Sequence, residues 1–407
     1  MEFSIDFRQN KNRDREKEQA IWMPEFCRQK LMGYAESFRE LSRSYCVGKE
    51  EECADRQKIL EEQKIKENRL VMSENLDAMA KVIARVAEEM GSCRPMEERR
   101  SRLLIQALRQ EGLFICNLYY LPKEEGRNSI GMTIRTEKRS GRLASDVADM
   151  LSVLLHRQMK LSATSPYLID DTVKWFVFVE EASYLVLTGF AKAVKEGESL
   201  SGDHYAIVES EQGKTSLILS DGTGSGEKAN RESGQVLDLL EKMLEAGYDM
   251  EAAVKMVNRA FYALEEEGNH PTLDICELDL YRGSCEICKV GGAATFIKHG
   301  ESVEQVAAQN LPLGIFRTVE FTRVRKELGN GEYIIMVTDG VLDALEEAGQ
   351  EETGNAAMAE LIGMMKEPNP TEIAEQLLHA VLCVSGGHIR DDMTILVAGI
   401  WENEGIS

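Results

Sequence analysis

Apolar residues in the first quarter of the chain recur three or four positions apart, which is the spacing of one helix face. Between residue 11 and about residue 110, charged residues are frequent and glycine and proline are rare. These features predict long helices with coiled-coil seams, forming either a hairpin that packs on its own chain or a dimerisation element that makes a homodimer. We interpret residues 1–110 as a helical, coiled-coil-like regulatory region. The two seams comprise Phe26, Leu31, Tyr34, Phe38, Leu41 and Tyr45, and then Leu76, Met79, Ile83, Val86 and Met90.

The hydrophobic pattern changes after Gly112, where apolar and β-branched runs replace the helical spacing. The runs LFICNLYYL (113–121) and SIGMTIRT (129–136) predict two strands. An amphipathic stretch from Leu143 to Met159 predicts a helix. Residues 111–174 are therefore expected to form a small α/β segment.

Residues 175–407 alternate between short apolar runs and turn-forming sequences, a pattern typical of antiparallel strands. Helices are predicted from Lys228 to Ala246 and from Asp249 to Leu264. A last helix is predicted to begin at Asn369, where asparagine caps and proline follows at the first helical position. The expected fold class is α+β, an antiparallel β-sandwich flanked by helices. The predicted strands are WFVFVEE, YLVLTGFAKAV, DHYAIVES, SLILS, LDICELDLY, EICKVGGAATFIKHG and EYIIMVT.

The charge of the chain limits its partners. It has 407 residues with 48 Lys and Arg against 70 Asp and Glu, a formal net charge of −22. Such a surface repels a phosphate backbone, which argues against nucleic acid as a partner. No apolar run approaches the roughly 18 residues of a membrane span, and the N-terminal residues are charged where a signal peptide is apolar. We therefore expect a cytoplasmic location, with no membrane insertion by this chain and with reduced cysteines.

Acidic motifs stand at the ends of predicted strands in the C-terminal half. They are SGD (201–203), SDGTGSG (220–226), TDG (338–340) and RDD (390–392). A single Asp-Gly at a strand end is usually a turn, but carboxylates that converge from separate strands repel unless a cation or proton lies between them. Oxygen ligands without His or Cys favour the hard ions Mg²⁺ or Mn²⁺. Two such ions about 3.5–4 Å apart would acidify a water and bind a phosphoryl oxygen.

Other chemistries fit these residues less well. The glycines at 222, 224 and 226 lack the spacing of a dinucleotide-binding loop, and the chain contains no P-loop motif. A two-metal nuclease would use the same carboxylates but would need a basic surface for its substrate. Cys285 and Cys288 lack the two further ligands that a zinc site requires.

The ordered motifs resemble a known family. SGD, SDGTGSG, NLPLGI (310–315), TDG and DDMT (391–394) are similar to motifs of the metal-dependent PPM-type serine/threonine phosphatases. VGGAATFIKHG (290–300) resembles the bacterial branch of stage II sporulation protein E. The resemblance covers residues 175–401 of the predicted phosphatase domain, 175–407. It implies hydrolysis of phosphoserine or phosphothreonine by a metal-bridged hydroxide, without a phosphoenzyme.

The resemblance also implies individual roles. Asp221, Asp339 and Asp391 would be the catalytic residues, and Asp221 would bridge two Mn²⁺ or Mg²⁺ ions. The backbone carbonyl of Gly222 would bind one ion with help from Asp203, while Asp339 and Asp391 would complete the other site.

One position departs from the family pattern. Eukaryotic relatives often have a histidine after the Asp-Gly, as acid for the leaving group, whereas Thr223 stands here. His204 is a poor substitute, because adjacent residues of a strand point to opposite faces.

The partner implied by the resemblance is a phosphorylated anti-anti-sigma factor, controlling a sporulation or stress sigma factor. The helices predicted at 228–246 and 249–264 correspond to a pair that switches metal-site assembly in that branch, although they also fit plain covering helices. The membrane spans of stage II sporulation protein E are missing, which suggests a soluble homologue or the cytosolic part of a longer protein. The alternative is a catalytically inactive phosphatase-like scaffold that dimerises through its N-terminal helices.

Overall fold

A computed structural model describes residues 27–44, 56–122, 128–136, 141–210, 213–263, 270–308, 310–348, 353–366 and 368–403. The chain divides into two compact units, Met1–Glu181 and Ala182–Ser407. No helix in those described ranges combines the length and the apolar character needed to cross a membrane.

Two helices open the first unit, α1 (residues 27–44) and α2 (Arg56–Ser92). They touch through small side chains, since Ser42 Oγ donates to the carbonyl oxygen of Ser73 at 2.8 Å. The predicted seam on α2 is partly exposed, with Met79 at 37% and Val86 at 45%. Dimerisation through this seam stays a prediction. Phe26 and Tyr45 of the first predicted seam lie outside the described residues.

The first unit continues with helices α3 (Glu98–Gln110) and α4 (Ala144–Leu155), which pack on a small sheet. Gly112, with φ of +74°, follows α3 in a conformation that favours glycine. The sheet has the strand order β1-β2-β3-β7-β5, and β4 pairs with β6. The strands are β1 (Arg94–Pro95), β2 (Leu113–Pro122), β3 (Asn128–Thr136), β4 (Arg142–Leu143), β5 (Met159–Leu161), β6 (Leu168–Ile169) and β7 (Lys174–Glu180).

The second unit is built on two antiparallel sheets. The β10 sheet has the order β15-β12-β11-β10-β9, and the β17 sheet has the order β14-β13-β16-β17-β8. The strands are β8 (Tyr184–Ala193), β9 (Asp203–Glu209), β10 (Lys214–Asp221), β11 (Leu273–Asp279), β12 (Ser284–Val290), β13 (Thr295–His299), β14 (Ser302–Val306), β15 (Thr322–Glu327), β16 (Glu332–Val337) and β17 (Met393–Glu402).

These two sheets pack face to face, and helices cover their outer faces. Leu217 of the β10 sheet and Leu396 of the β17 sheet belong to the core between them. The outer face of the β10 sheet is covered by α5 (Gly226–Glu245) and α6 (Met250–Ala263). The other outer face is covered by α7 (Asp339–Ala348), α8 (Gly354–Met364) and α9 (Pro370–Val384). The fold is an α+β, antiparallel β-sandwich flanked by helices, as the sequence predicts.

Most predicted elements coincide with observed ones. Asn369 caps α9, since its side-chain oxygen accepts the N–H of Thr371 at 3.0 Å. Helices α7 and α8 and strands β1, β4, β5, β6, β14 and β15 were not predicted. The run EICKVGGAATFIKHG forms two strands, β12 and β13, which belong to different sheets. The division into residues 1–110, 111–174 and 175–407 stays a prediction. In the structure, α3 from residues 1–110 packs in one core with β2 from residues 111–174. Strand β7, which begins at residue 174, belongs to the same sheet as β2.

A buried ion pair on the β10 sheet is hydrogen-bonded to the β17 sheet. Lys289 Nζ lies 2.6 Å from Asp274 Oδ2 on the neighbouring strand and donates to Thr295 Oγ1 of the opposite sheet at 3.0 Å. Both charged side chains are buried, and Asp274 Oδ1 has no hydrogen-bond partner. Because an unpaired buried charge is very costly, each member of the pair depends on the other.

Candidate active site

Asp203 and Asp221 lie opposite each other where two neighbouring strands meet. Strand β9 begins at Asp203, β10 ends at Asp221, and the two residues are directly paired. Directly opposite residues of an antiparallel pair project to the same face. Their carboxyl groups interact, and each affects the pKa of the other.

Asp203 also connects the two sheets. Its Oδ2 accepts hydrogen bonds from Thr338 Oγ1 at 2.9 Å and from Thr394 Oγ1 at 2.7 Å. The side chain is fully buried, and Oδ1 has no hydrogen-bond partner. A buried carboxylate oxygen in this position is stable only beside a proton or a cation.

The β17 sheet supplies the other two predicted carboxylates. Strand β16 leads through Thr338 into Asp339, the first residue of α7. Asp391 stands two residues before β17, which is the neighbour of β16. The carboxyl group of Asp339 interacts with those of Asp221 and Asp391. The structure therefore brings the four predicted aspartates together, two from each sheet.

The proximity of these carboxyl groups changes their affinity for protons. Burial, followed by the negative charges of Asp203 and Asp339, raises the pKa of Asp221 to about 10. Burial raises the pKa of Asp203 to about 6, against the opposing effect of its threonine hydrogen bonds. Burial and the charge of Asp391 also raise the pKa of Asp339. Asp221 is therefore the member that retains a proton at neutral pH, and a bound cation would displace it.

The adjacent Asp391 and Asp392 have different surroundings. Asp392 is buried and accepts the backbone N–H groups of Lys195 at 3.0 Å and Gly202 at 2.7 Å. The side chain of Asp391 is 46% exposed and lies 3.7 Å from Lys195 Nζ. Asp392 therefore fixes the segment between β8 and β9, while Asp391 belongs to the carboxylate cluster.

Alanine substitutions should separate these two roles. We expect Asp392→Ala to lower the free energy of unfolding by about 2–4 kcal/mol, because two backbone N–H groups lose their acceptor. Asp391→Ala should change it by less than about 1 kcal/mol, because the side chain is half exposed and its removal relieves repulsion with Asp339. Urea denaturation of both variants measures the difference. Equal losses of stability would contradict the assignment.

Helix α5 is tied to both strand ends that carry the paired aspartates. A Cβ atom at Gly222 would lie 2.1 Å from a carbonyl oxygen of α5, so only glycine fits there. Glu232 Oε2 of α5 accepts the N–H of Thr223 at 3.3 Å. The neighbouring Ser233 donates to the carbonyl oxygen of Gly202. The position of α5 is therefore coupled to the loop that follows Asp221.

The donor set fits a hard divalent cation. Within the part of the chain that the structure describes, no three His, Cys, Asp or Glu side chains are already arranged to hold a metal ion. The fit rests instead on the unpartnered, buried Oδ1 of Asp203 and on the proton-retaining Asp221 beside it. Mg²⁺ and Mn²⁺ take oxygen ligands of this kind. The groups that could hold such ions are the predicted ones, Asp203, Asp221, the carbonyl of Gly222, Asp339 and Asp391.

Two histidines lie near the strand ends. His204 Nδ1 is 2.8 Å from Ser233 Oγ, so this side chain faces α5 and is directed away from the carboxylates. Burial lowers the pKa of His204. His270, which the sequence analysis missed, donates its backbone N–H to Thr223 Oγ1 at 2.9 Å. Its Nδ1 lies 3.3 Å from the carbonyl oxygen of Leu313.

Several supporting residues depend on contacts that sequence alone does not reveal. Thr338 and Thr394 belong to the quoted motifs TDG and DDMT, but their role depends on hydrogen bonds to Asp203 of the other sheet. Lys195 and Asp392 are brought together from positions almost 200 residues apart, and nothing in their local sequence signals it. Cys285 and Cys288 belong to cores on opposite sides of β12 and form no joint site.

Comparisons with known proteins point to one family. Residues 211–401 match the family model described as Stage II sporulation protein E (SpoIIE). The chain is 32% identical over 340 residues to stage II sporulation protein E of Bacillus subtilis (strain 168), and 30% identical over 339 residues to that of Priestia megaterium. These alignments cover 84% and 83% of this chain but only 41% and 57% of those proteins.

A solved structure extends the likeness to the fold. It contains the PP2C phosphatase domain and a fragment of the regulatory domain of the cell fate determinant SpoIIE from Bacillus subtilis. The two chains are 31% identical with a TM-score of 0.59, and the match covers 87% of this chain and 100% of that one.

Proposed function

Because the chain belongs to the SpoIIE family of PP2C-type (PPM-type) phosphatases, we propose that it is a metal-dependent protein serine/threonine phosphatase. It hydrolyses a phosphoserine or phosphothreonine monoester on a partner protein and releases inorganic phosphate. The observation that carries this proposal is the convergence of Asp203, Asp221, Asp339 and Asp391 at adjoining ends of two sheets.

Residues of the chain would hold the metal ions and fix the position of the carboxylates. Two Mg²⁺ or Mn²⁺ ions bound to these carboxylates and to the Gly222 carbonyl would lower the pKa of a water and neutralise phosphoryl charge. Asp221, whose pKa is raised to about 10, would lose its proton on cation binding and would supply negative charge to the bound ions. Thr338 and Thr394 hold Asp203 in place. No side chain of the cluster is a nucleophilic Ser or Cys, in keeping with direct hydrolysis.

Family membership supports a proposal for the substrate and for the regulation. We propose a phosphorylated anti-anti-sigma factor as the partner, acted on in the cytoplasm during control of a sporulation or stress sigma factor. The solved SpoIIE chain includes a fragment that is named a regulatory domain. By analogy, residues 1–110 of this chain would regulate the phosphatase. Within the second unit, α5 contacts the loop after Asp221, so a movement of α5 would affect the site.

Removal of metal ions tests this function. We expect the full chain to release phosphate from a phosphorylated anti-anti-sigma factor, to lose this activity after chelation and to regain it with Mn²⁺. The oxygen-only donor set is the reason, because it suits Mg²⁺ or Mn²⁺, and a chelator would compete with the carboxylates for these ions. Phosphate release with and without chelator is the measurement.

Two results would contradict the proposal in different ways. Unchanged turnover after exhaustive chelation would exclude the two-ion mechanism. A folded protein that binds the substrate but hydrolyses no phosphoprotein with Mn²⁺ or Mg²⁺ would favour the inactive scaffold instead.

A further inference from the structure

A lysine stands at the rim of the carboxylate cluster. Lys195 Nζ lies 3.7 Å from Asp391 Oδ1, which is longer than a hydrogen bond, so the attraction between them is electrostatic. The side chain is 34% exposed, so its ammonium group reaches both the cluster and solvent. The ammonium group is therefore placed where an anion entering from solvent could contact it.

The backbone holds this lysine in place. The N–H of Lys195 donates to the buried Asp392 at 3.0 Å, and the N–H of Glu196 donates to the carbonyl of Ile389 at 2.9 Å. These bonds join the segment after β8 to the turn that carries Asp391. The ammonium group therefore extends from a fixed point beside a predicted metal ligand.

Space for a ligand adjoins the lysine. A cavity of about 360 Å³ is lined by Lys195, Glu196, His388, Ile389 and Arg390. A second cavity of about 270 Å³ shares His388 and Arg390 with it and reaches Gly340 and Asp391. Lys195 therefore borders one of two cavities that share His388 and Arg390, and the other cavity reaches Asp391 of the cluster.

The other nearby cations are engaged elsewhere. Lys192 Nζ donates to the backbone carbonyl of Asp203 at 2.6 Å. Arg390 Nη1 lies 2.5 Å from Glu347 Oε2, and its side chain is 75% exposed. Of these three side chains, Lys195 has both a backbone N–H fixed by Asp392 and an ammonium group that is only 3.7 Å from a carboxylate without a hydrogen bond to it.

Charge balance explains why such a cation is needed. The four aspartates carry up to four negative charges, which two divalent ions would neutralise, while a phosphate monoester arrives with up to two more. Once a cation occupies Asp391, the attraction between that carboxylate and Lys195 weakens. The ammonium group is then available to donate to phosphate oxygens, as lysine commonly does.

We propose that Lys195 binds the phosphate group of the substrate, an inference that rests on the phosphatase function proposed above. It is a binding residue for phosphoserine and phosphothreonine monoesters and for the phosphate product. Its contribution is affinity for the phosphoryl group, whereas the ions that the aspartate cluster would hold would activate the water.

The test uses the full chain with Mn²⁺ and two probes, inorganic phosphate and p-nitrophenyl phosphate. Calorimetry gives the Kd of inorganic phosphate, and kinetics on p-nitrophenyl phosphate give KM and kcat separately. The variants are Lys195→Met and Lys195→Arg. Lys214→Met is the matched control, because Lys214 is 32% exposed and pairs with Glu277, on the central strands of the β10 sheet.

We expect Lys195→Met to raise the Kd of phosphate and the KM by about tenfold, with kcat changed much less. Lys195→Arg should retain most of the affinity, because the positive charge is kept. The apparent affinity for Mn²⁺ should stay the same or rise, because a positive charge beside Asp391 is lost. Lys214→Met should leave all these values unchanged.

Other outcomes overturn the inference. If Lys195→Met and Lys214→Met have equal effects, only net charge matters. If Lys195→Met weakens Mn²⁺ binding together with phosphate binding, the lysine positions the metal site and does not bind phosphate. A failure of the phosphatase function itself is distinct: the wild-type chain would hydrolyse no phosphomonoester, while phosphate calorimetry would still measure the role of Lys195.

Discussion

Asp221→Asn is expected to lower kcat by at least about 100-fold, equal to about 2.7 kcal/mol of transition-state stabilisation. The carboxyl group of Asp221 interacts with those of both Asp203 and Asp339. A neutral amide in this central position would weaken the sites of both ions together. Turnover of a phosphoprotein at saturating Mn²⁺ gives the measurement.

Asp203→Asn is the matched comparison for that variant. The asparagine oxygen can still accept from Thr338 and Thr394, so the contact between the sheets is kept. We expect a smaller loss of about tenfold, because Asp203 would touch one ion only. If Asp203→Asn were the more damaging change in a folded protein, the bridging role of Asp221 would be wrong.

Lys289→Met should destabilise the second unit by about 3–5 kcal/mol. The substitution leaves the buried Asp274 carboxylate without its counter-charge. Because Oδ1 of Asp274 has no hydrogen-bond partner either, both oxygens would then lack one. It also removes the hydrogen bond from Lys289 to Thr295 of the opposite sheet. Urea denaturation followed by circular dichroism reports the shift in midpoint.

A double variant separates charge imbalance from lost packing. Asp274→Leu combined with Lys289→Met replaces the pair by apolar side chains, and we expect its stability to return to within about 1 kcal/mol of the wild type. Lys214→Met removes an ion pair that is partly exposed, so it should cost less than about 1 kcal/mol. A single Lys289→Met variant as stable as Lys214→Met would show that the buried pair does not constrain the two sheets.

The architecture was largely predictable because the hydrophobic pattern reports burial directly. Runs such as SLILS and EYIIMVT are apolar at consecutive positions, and the structure buries both faces of β10 and β16. Asn369 and Pro370 likewise predicted the start of α9 from local chemistry alone. The buried face of α2 was harder to predict, because small residues such as Ser73 are buried where larger apolar ones were expected.

The aspartates of the site could be predicted from motifs, whereas the residues that hold them in place could be identified only from the fold. The four aspartates could be singled out because each stands at the end of an apolar strand. The different surroundings of Asp391 and Asp392 could not be predicted, since the two side chains are chemically identical and only strand geometry separates them. The same holds for Asp274 and Lys289, which strand pairing brings together across 15 positions.

Mn²⁺ calorimetry of the full chain in buffers of different ionisation enthalpy would decide whether the aspartate cluster forms a site for two divalent ions. At neutral pH we expect two ions to bind per chain with release of protons, because burial and neighbouring charge raise the pKa of Asp221 to about 10. Asp221→Asn should weaken binding of both ions and abolish most of the proton release. Absence of Mn²⁺ binding, or binding that Asp221→Asn leaves unchanged, would contradict the account.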